Sequence, residues 1–413
     1  MLLSFSFFIK CRLILFKKDF YFFFFFIFLL GQFQIKKEDY HEVSIALMEL
    51  LELLKNTKNV EIDGQIYEID YKVTCDYKML LILFGKKAAN ADDACVYCRV
   101  HLRDPPNVEA NYPIFRTLKD TPDNLNPILN FIEYKNVIPD FLHLFLRLTD
   151  SLYKLLLMKL AQMDNDPIST DLTDRPNLKI FIDFLIHSCK ITNPYYVSTQ
   201  TEEKILFRHF TGNERMRIFK EIFVETDEFN EEGERKTLSM QRFYPNIINK
   251  LYNFKYEDYV WSNFYKLYIK IKKFHITPFD PTTLEPKLKK WLKAFLKISK
   301  LNRNFSKIGP YHHIFTKHLI ELMQIHGDIN SFNTQGLEKL NGFCIKYYHS
   351  CTSKKNTKLK YLEQLINKRN RMEFIFSNGD YWDFEHEDED DHDYDFDTES
   401  ISTDSAESDS DNQ

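Results

Sequence analysis

Apolar positions recur at helical spacing in "EVSIALMELLELLKN" (42–56), which predicts a helix there. In "NVEIDGQIYEID" (59–70) they alternate on both sides of an Asp-Gly pair, the pattern of a hairpin with a two-residue turn. "YKVTCDYKMLLILFG" (71–85) then reads as a strand ending near Cys75 and Asp76, followed by a helix that stops at Gly85. A Pro- and Asn-rich loop (103–131) leads to "NVIPDFLHLFLRLTDSLYKLLLMKLAQMD" (136–164). This is a short strand running into a long helix, with Asp140 as its N-cap or as an outer metal neighbour. Residues 165–330 read as mainly helical, with apolar residues three and four apart and polar loops between.

The first 36 residues do not share this grammar. The run Phe20 to Leu30 is eleven apolar residues, short of the about 20 that a spanning helix needs. No small-residue cleavage site follows it, so the leader reads as translated non-coding text at a misplaced start, with a membrane anchor as the alternative. The division that results is a leader (1–36), a first α/β segment (37–150), a helical insertion (151–330), a further helical segment (331–378) and an acidic tail (379–413).

Charge sharpens the picture. Residues 380–411 hold sixteen acidic groups and no Lys or Arg, so of a net −5 the body carries about +11. The tail has too few apolar groups to fold alone and is expected to be disordered. A basic body with an acidic tail points to nucleic acid as a partner. Two stretches of the insertion, "YKLYIKIKKFH" (265–275) and "EPKLKKWLKAFLKISKLNRN" (285–304), set lysines beside an apolar stripe. That suits a helix lying on DNA phosphates, or equally a solvated surface face. No glycine-rich phosphate loop and no internal repeat occurs.

Seven cysteines at 11, 75, 95, 98, 189, 344 and 351 form no secretory framework and point to a reducing compartment. Cys95 and Cys98 have the spacing of half a zinc site, although two packed core cysteines would look the same. "PYHHIFTKH" offers the other half, His313 and His318, with His312 as a spare; without the Cys pair a surface helix start would be the plainer reading, and with it zinc is. A Cys2His2 set over two hundred residues apart would be a structural Zn2+ staple between distant segments, not a small finger.

Four segments carry a more specific likeness: "CDYKMLLILFGKKAANADDACVYCRV", "VIPDFLHLFLRLTDSLYKLLL", "GPYHHIFTKHLIELMQIHGDI" and "NTQGLEKLNGFCIKYYHSCTSKK". In this order they resemble the DDE transposase family that includes the V(D)J recombinase catalytic subunit and Transib-like transposon-derived proteins. The resemblance implies a ribonuclease H-like α/β core, here partial, with a large, mostly α-helical insertion, helix predominating overall. It implies Mg2+ ligands at Asp76 and Glu338, zinc ligands at Cys95, Cys98, His313 and His318, and two-metal DNA cleavage and strand transfer in the nucleus, commonly by a homodimer. Hard divalent ions need carboxylate oxygens, which explains the acidic pair. The motif's Asp140 and His143 open a helix, where a packed, hydrogen-bonded histidine is the plainer reading of His143. The family's first Asp belongs to an opening strand, and neither Asp19 nor Asp39 stands in such a context. The expectation is therefore an incomplete or impaired enzyme, with a non-catalytic zinc-stabilised DNA-binding or scaffold protein as the alternative.

Overall fold

Helix α1 (Tyr40–Asn56) begins where Asp39 accepts the backbone N–H of Glu42, and it buries Val43, Leu47, Leu51 and Leu54 along one stripe. The Asp-Gly pair does make a hairpin: β3 (Asn59–Ile62) pairs antiparallel with β4 (Gln65–Lys72), and Gly64 takes the positive φ, +74°, that the turn requires. In this computed structural model the described residues are 3–17, 20–35, 39–62, 64–86, 91, 95–100, 115–116, 125–165, 171–198, 204–223, 225–229, 235–237, 254–301 and 308–334. All of them belong to one unit, Met1–Gly342. Glu338, the unit Phe343–Gln413 and the acidic tail lie outside the described residues.

The leader, in which the sequence reading placed no element, forms two strands, β1 (Leu3–Lys17) and β2 (Phe20–Ile35). β1 pairs antiparallel with β2 and with β4, giving the order β2-β1-β4-β3. β4 ends at Lys72, earlier than the sequence reading put it. Beyond it Val73 makes a parallel bridge to Val137, and this bridge is what became of the short strand expected before Asp140. The chain leaves the sheet here because Asp76 turns to cap the next helix.

That helix, α2 (Tyr77–Leu83), is stopped as expected at Gly85, whose φ is +63°. A Cβ on Gly85 would sit 2.2 Å from the carbonyl oxygen of Leu125, so both the backbone and the neighbour demand glycine. The long helix α3 (Phe141–Met163) starts at Asp140, again as the pattern predicts. Against it pack α4 (Pro176–His187), α5 (Gly212–Ile222) and α6 (Phe254–Lys272), and α7 (Glu285–Leu301) packs on α6.

Aromatic rings join these helices. Phe145 of α3 stacks on Tyr268 and Phe264 of α6, and Phe264 meets Trp291 of α7. The Trp291 indole donates to the carbonyl of Val260 at 2.9 Å, so a buried polar tip is satisfied. Arg215 of α5 is buried against α3, where it meets Asp150 at 2.7 Å and the Leu146 carbonyl at 2.6 Å.

The insertion is not helical throughout. Two hairpins interrupt it, β5 (Tyr195–Ser198) with β6 (Lys204–Phe207), and β7 (Glu225–Phe229) with β8 (Arg235–Thr237). Helix predominates among the described residues, and no helix among them is long and apolar enough to cross a membrane.

Candidate metal centre

Two short pieces of chain supply the centre. The first is the loop after α2 that carries Cys95 and Cys98, both fully buried. It is held by the Tyr77 hydroxyl, which accepts the N–H of Val96 at 3.2 Å, and by Arg116, whose Nε donates to the Cys98 carbonyl at 2.9 Å. The second is a helical stretch made of α8 (Pro310–His313), a single π turn (Ile314–His318) and α9 (Leu319–His326). Pro310 opens it at a position where a missing N–H costs nothing.

The π turn decides the geometry. In an α-helix of about 3.6 residues per turn, side chains five apart diverge by about 140°. Here the Leu319 N–H donates to the carbonyl of Ile314, an i→i+5 bond, and the wider turn returns His318 to the side of His313. Their Nε2 atoms lie 3.2 Å apart.

Cys98 Sγ is 3.2 Å from His313 Nε2, and Cys95 Sγ is 3.5 Å from His318 Nε2. All four ligand atoms fall within 4.8 Å of one another. Zinc bonds of about 2.3 Å to sulfur and about 2.0–2.1 Å to nitrogen give tetrahedral edges of about 3.3–3.8 Å. The three separations of 3.2–3.5 Å are close to those edges, so the donor set suits a closed, four-coordinate zinc once its wider separations, up to 4.8 Å, draw in. Among the described residues this is the one group of three or more potential ligands brought together.

The electrostatics divide the two thiols, with the thiolate favoured at Cys98 and not at Cys95. Burial pushes the Cys95 thiol well up, whereas Cys98, hydrogen-bonded to Cys95 and to both histidines, is pulled down. Burial also lowers the pKa of His318, which favours the neutral ring that ligates. Tyr97 and Phe115 pack on the His318 ring at 5.1 and 5.5 Å between centroids and complete a dry shell. The spare, His312, does not join. It lies between Trp291 and Phe295, and burial lowers its pKa to about 4.

The carboxylate residues stand differently. Asp76 is half-buried at the N-terminus of α2, not on a strand, and its Oδ1 accepts the N–H of Met79 at 3.1 Å. Its charge reaches Tyr311. Burial raises that hydroxyl, Arg147 of α3 lowers it by charge and hydrogen bond, and Asp76 raises it. Asp140 is 3% exposed and accepts from Leu142 N at 3.0 Å, from His143 Nδ1 at 2.5 Å and from Thr334. Its oxygens are thus taken, which fits an N-cap and anchor, and His143 is the hydrogen-bonded histidine expected. Sequence reading missed Arg116, Tyr97, Tyr311 and Thr334; their roles depend on contacts between segments remote in sequence.

No family model matches the chain, and no curated protein matches it.

Proposed function

We propose that the chain is a DDE transposase- or recombinase-like protein of transposon origin, with a partial ribonuclease H-like core. Its ancestral reaction is two-metal cleavage and strand transfer of DNA in the nucleus. The observation that carries this reading is the buried Cys95, Cys98, His313, His318 cluster. It joins the segment just after Asp76 to the segment just before Glu338, as the resemblance in motif order requires.

A second observation supports the same layout. Thr334, four residues before Glu338, is tied to Asp140 at the head of α3. Zn2+ held by the four ligands would be structural, since all four positions are protein donors. Asp76 and Glu338 are the proposed Mg2+ ligands. The Asp76 side is half-buried with one oxygen used as a helix cap, and Glu338 lies outside the described residues, so no catalytic step is derived. With no residue matching the family's first Asp, the proposed enzyme is impaired.

The test is Mg2+-dependent nicking of supercoiled plasmid by the purified full chain, beside Asp76→Asn and Glu338→Gln. The expected result is DNA binding by all three with little or no nicking. Robust nicking abolished by both substitutions overturns the impairment. Absence of DNA binding overturns the function.

The alternative, a zinc-stabilised DNA-binding or scaffold protein without catalysis, is favoured by the use of Asp76 as a cap. It shares the binding result and differs in showing no nicking under any divalent ion.

A further inference from the structure

Helices α6 and α7 pack antiparallel, with Lys290 over Tyr259 at one end and Lys287 near Lys270 at the other. Between them lies a cavity of about 420 Å³ lined by Tyr259, Asn263, Lys266, Lys270, Lys287 and Lys290, together with Leu267 and Pro286. Four of its eight lining residues are lysines and none is acidic. Among the described residues none of the four lysines has a carboxylate partner, whereas neighbouring Lys289 is paired with Glu285 at 2.8 Å on the same helix.

Unpaired like charges sharing one cavity raise its energy until an anion enters. Lys270 registers this: burial, and then the charge of Lys287, lower its pKa. The lining includes buried Leu267 and exposed Pro286, and two rings approach the cations, Tyr259 from the lining and Phe279 from outside it. Tyr259 lies 5.1 Å from Lys290 Nζ, and Phe279 lies 4.2 Å from Lys270 Nζ. A basic groove interleaved with half-buried rings is how a polynucleotide strand is held, its phosphates on the lysines and its bases against the aromatics. No arginine lines the cavity. Forked recognition of either phosphate or carboxylate is therefore missing, and what the groove supplies is a row of point charges.

We propose that the α6–α7 groove is a seat for the phosphates of a nucleic-acid backbone, with Lys266, Lys270, Lys287 and Lys290 each supplying one charge. The four lysines read no sequence, because point charges on phosphate carry none, and the Asn263 amide in the lining donates to the Tyr259 carbonyl. The proposal rests on the DNA-binding part of the function above and assigns it a place.

The experiment measures binding of the full chain to fluorescein-labelled single-stranded and duplex oligonucleotides between 50 and 300 mM salt, a range of roughly the span over which counterion release is read. It is repeated with a variant carrying Lys266→Gln, Lys270→Gln, Lys287→Gln and Lys290→Gln, and with Lys289→Gln as the control outside the groove. Inorganic tripolyphosphate and a poly-glutamate peptide serve as competitors, and zinc content and circular dichroism check the fold of each variant.

The expected result is at least about a ten-fold loss of affinity in the fourfold variant, with a slope of log K against log salt shallower by about 3–4, near 0.9 per phosphate on duplex. Lys289→Gln should bind as the parent does. Parental affinity and slope in a folded fourfold variant overturn the groove but leave the function standing; a parent that binds no oligonucleotide overturns both. Displacement of the oligonucleotide by poly-glutamate as readily as by an unlabelled strand assigns the groove to acidic peptide and overturns the proposal. Tight tripolyphosphate binding that leaves oligonucleotide binding untouched assigns it to a free polyphosphate and overturns it too.

Discussion

Thr334 donates both its backbone N–H, at 3.2 Å, and its hydroxyl to the carboxylate of Asp140, 194 residues earlier in the chain. The same carboxylate caps α3 through Leu142 N and holds His143 by Nδ1. One buried acid thus fixes the start of the longest described helix, the orientation of an imidazole and the point where the chain heads towards Glu338.

Replacing Asp140 with Ala removes a helix cap, about 1 kcal/mol. It also leaves the buried Thr334 N–H and hydroxyl unsatisfied, about 1–3 kcal/mol each. The expected loss is about 3–7 kcal/mol, read as a lower urea midpoint. Thr334→Val deletes only the hydroxyl bond and should cost less than half as much; equal costs would show that the anchor is not what Asp140 supplies.

The four ligands predict one zinc per chain by elemental analysis of protein purified without chelator. Cys95→Ser and His318→Ala should each lose most of the metal and unfold at lower temperature. His312→Phe, which removes only the ring between Trp291 and Phe295, should keep the full zinc content. Metal loss in the His312 variant equal to that in the other two would move the site.

Gly85 is constrained twice, by φ +63° and by the Leu125 carbonyl at 2.2 Å from any Cβ. Gly85→Ala is expected to cost more than the roughly 1–2 kcal/mol of putting a side chain at a left-handed φ, because the Leu125 carbonyl adds a clash to it. Gly64 shares the positive φ but has open space around it, so Gly64→Ala isolates the backbone part. A thermal melt should rank parent, Gly64→Ala and Gly85→Ala in that order of falling stability.

Glu257 of α6 is buried, and desolvation lifts its pKa from 4.5 to about 7; its backbone bond and Lys159 of α3 pull it down, and Asp258 pushes it up. The native state holds this proton more tightly than the unfolded chain, so the contribution is full below pH 4.5 and is lost as pH rises through 7. The difference corresponds to about 3 kcal/mol at about 1.4 kcal/mol per pH unit. Glu257→Gln should therefore flatten the decline in stability between pH 5 and 8 and exceed the parent at pH 8. An unchanged pH profile would show that Glu257 stays charged in the fold.

How legible these features were in the sequence depended on how local they are. The Asp-Gly hairpin, the stop at Gly85, the cap at Asp140 and the helical character of 254–272 and 285–301 rest on neighbouring residues, and the pattern carried them. The four metal ligands were legible too, because thiol and imidazole spacing is a chemical signature. Strands β5 and β6 were not. Each is four residues long and is kept by packing, with Ile205 buried and Phe207 against Tyr153 and Phe181. The end of β4 was misplaced for a similar reason, since Val73 bonds to a segment beyond the next loop. The π turn is invisible in composition: five-residue spacing names the histidines, and only the backbone shows why they meet.

A metal held between Cys98 and His313 would close a loop of 215 residues without a covalent cross-link. By the chain-entropy relation for a cross-link of that span, closure removes about 5 kcal/mol of disorder from the unfolded chain, a model-dependent figure. Helices α3 to α7 all lie inside this lasso. A single proteolytic cut between α3 and α7 would leave two fragments that the aromatic core and the Asp140–Thr334 bonds still join, and a metal held by the four residues would add a clasp that a chelator removes. Such a clasp would hold a severed chain together more tightly than packing alone.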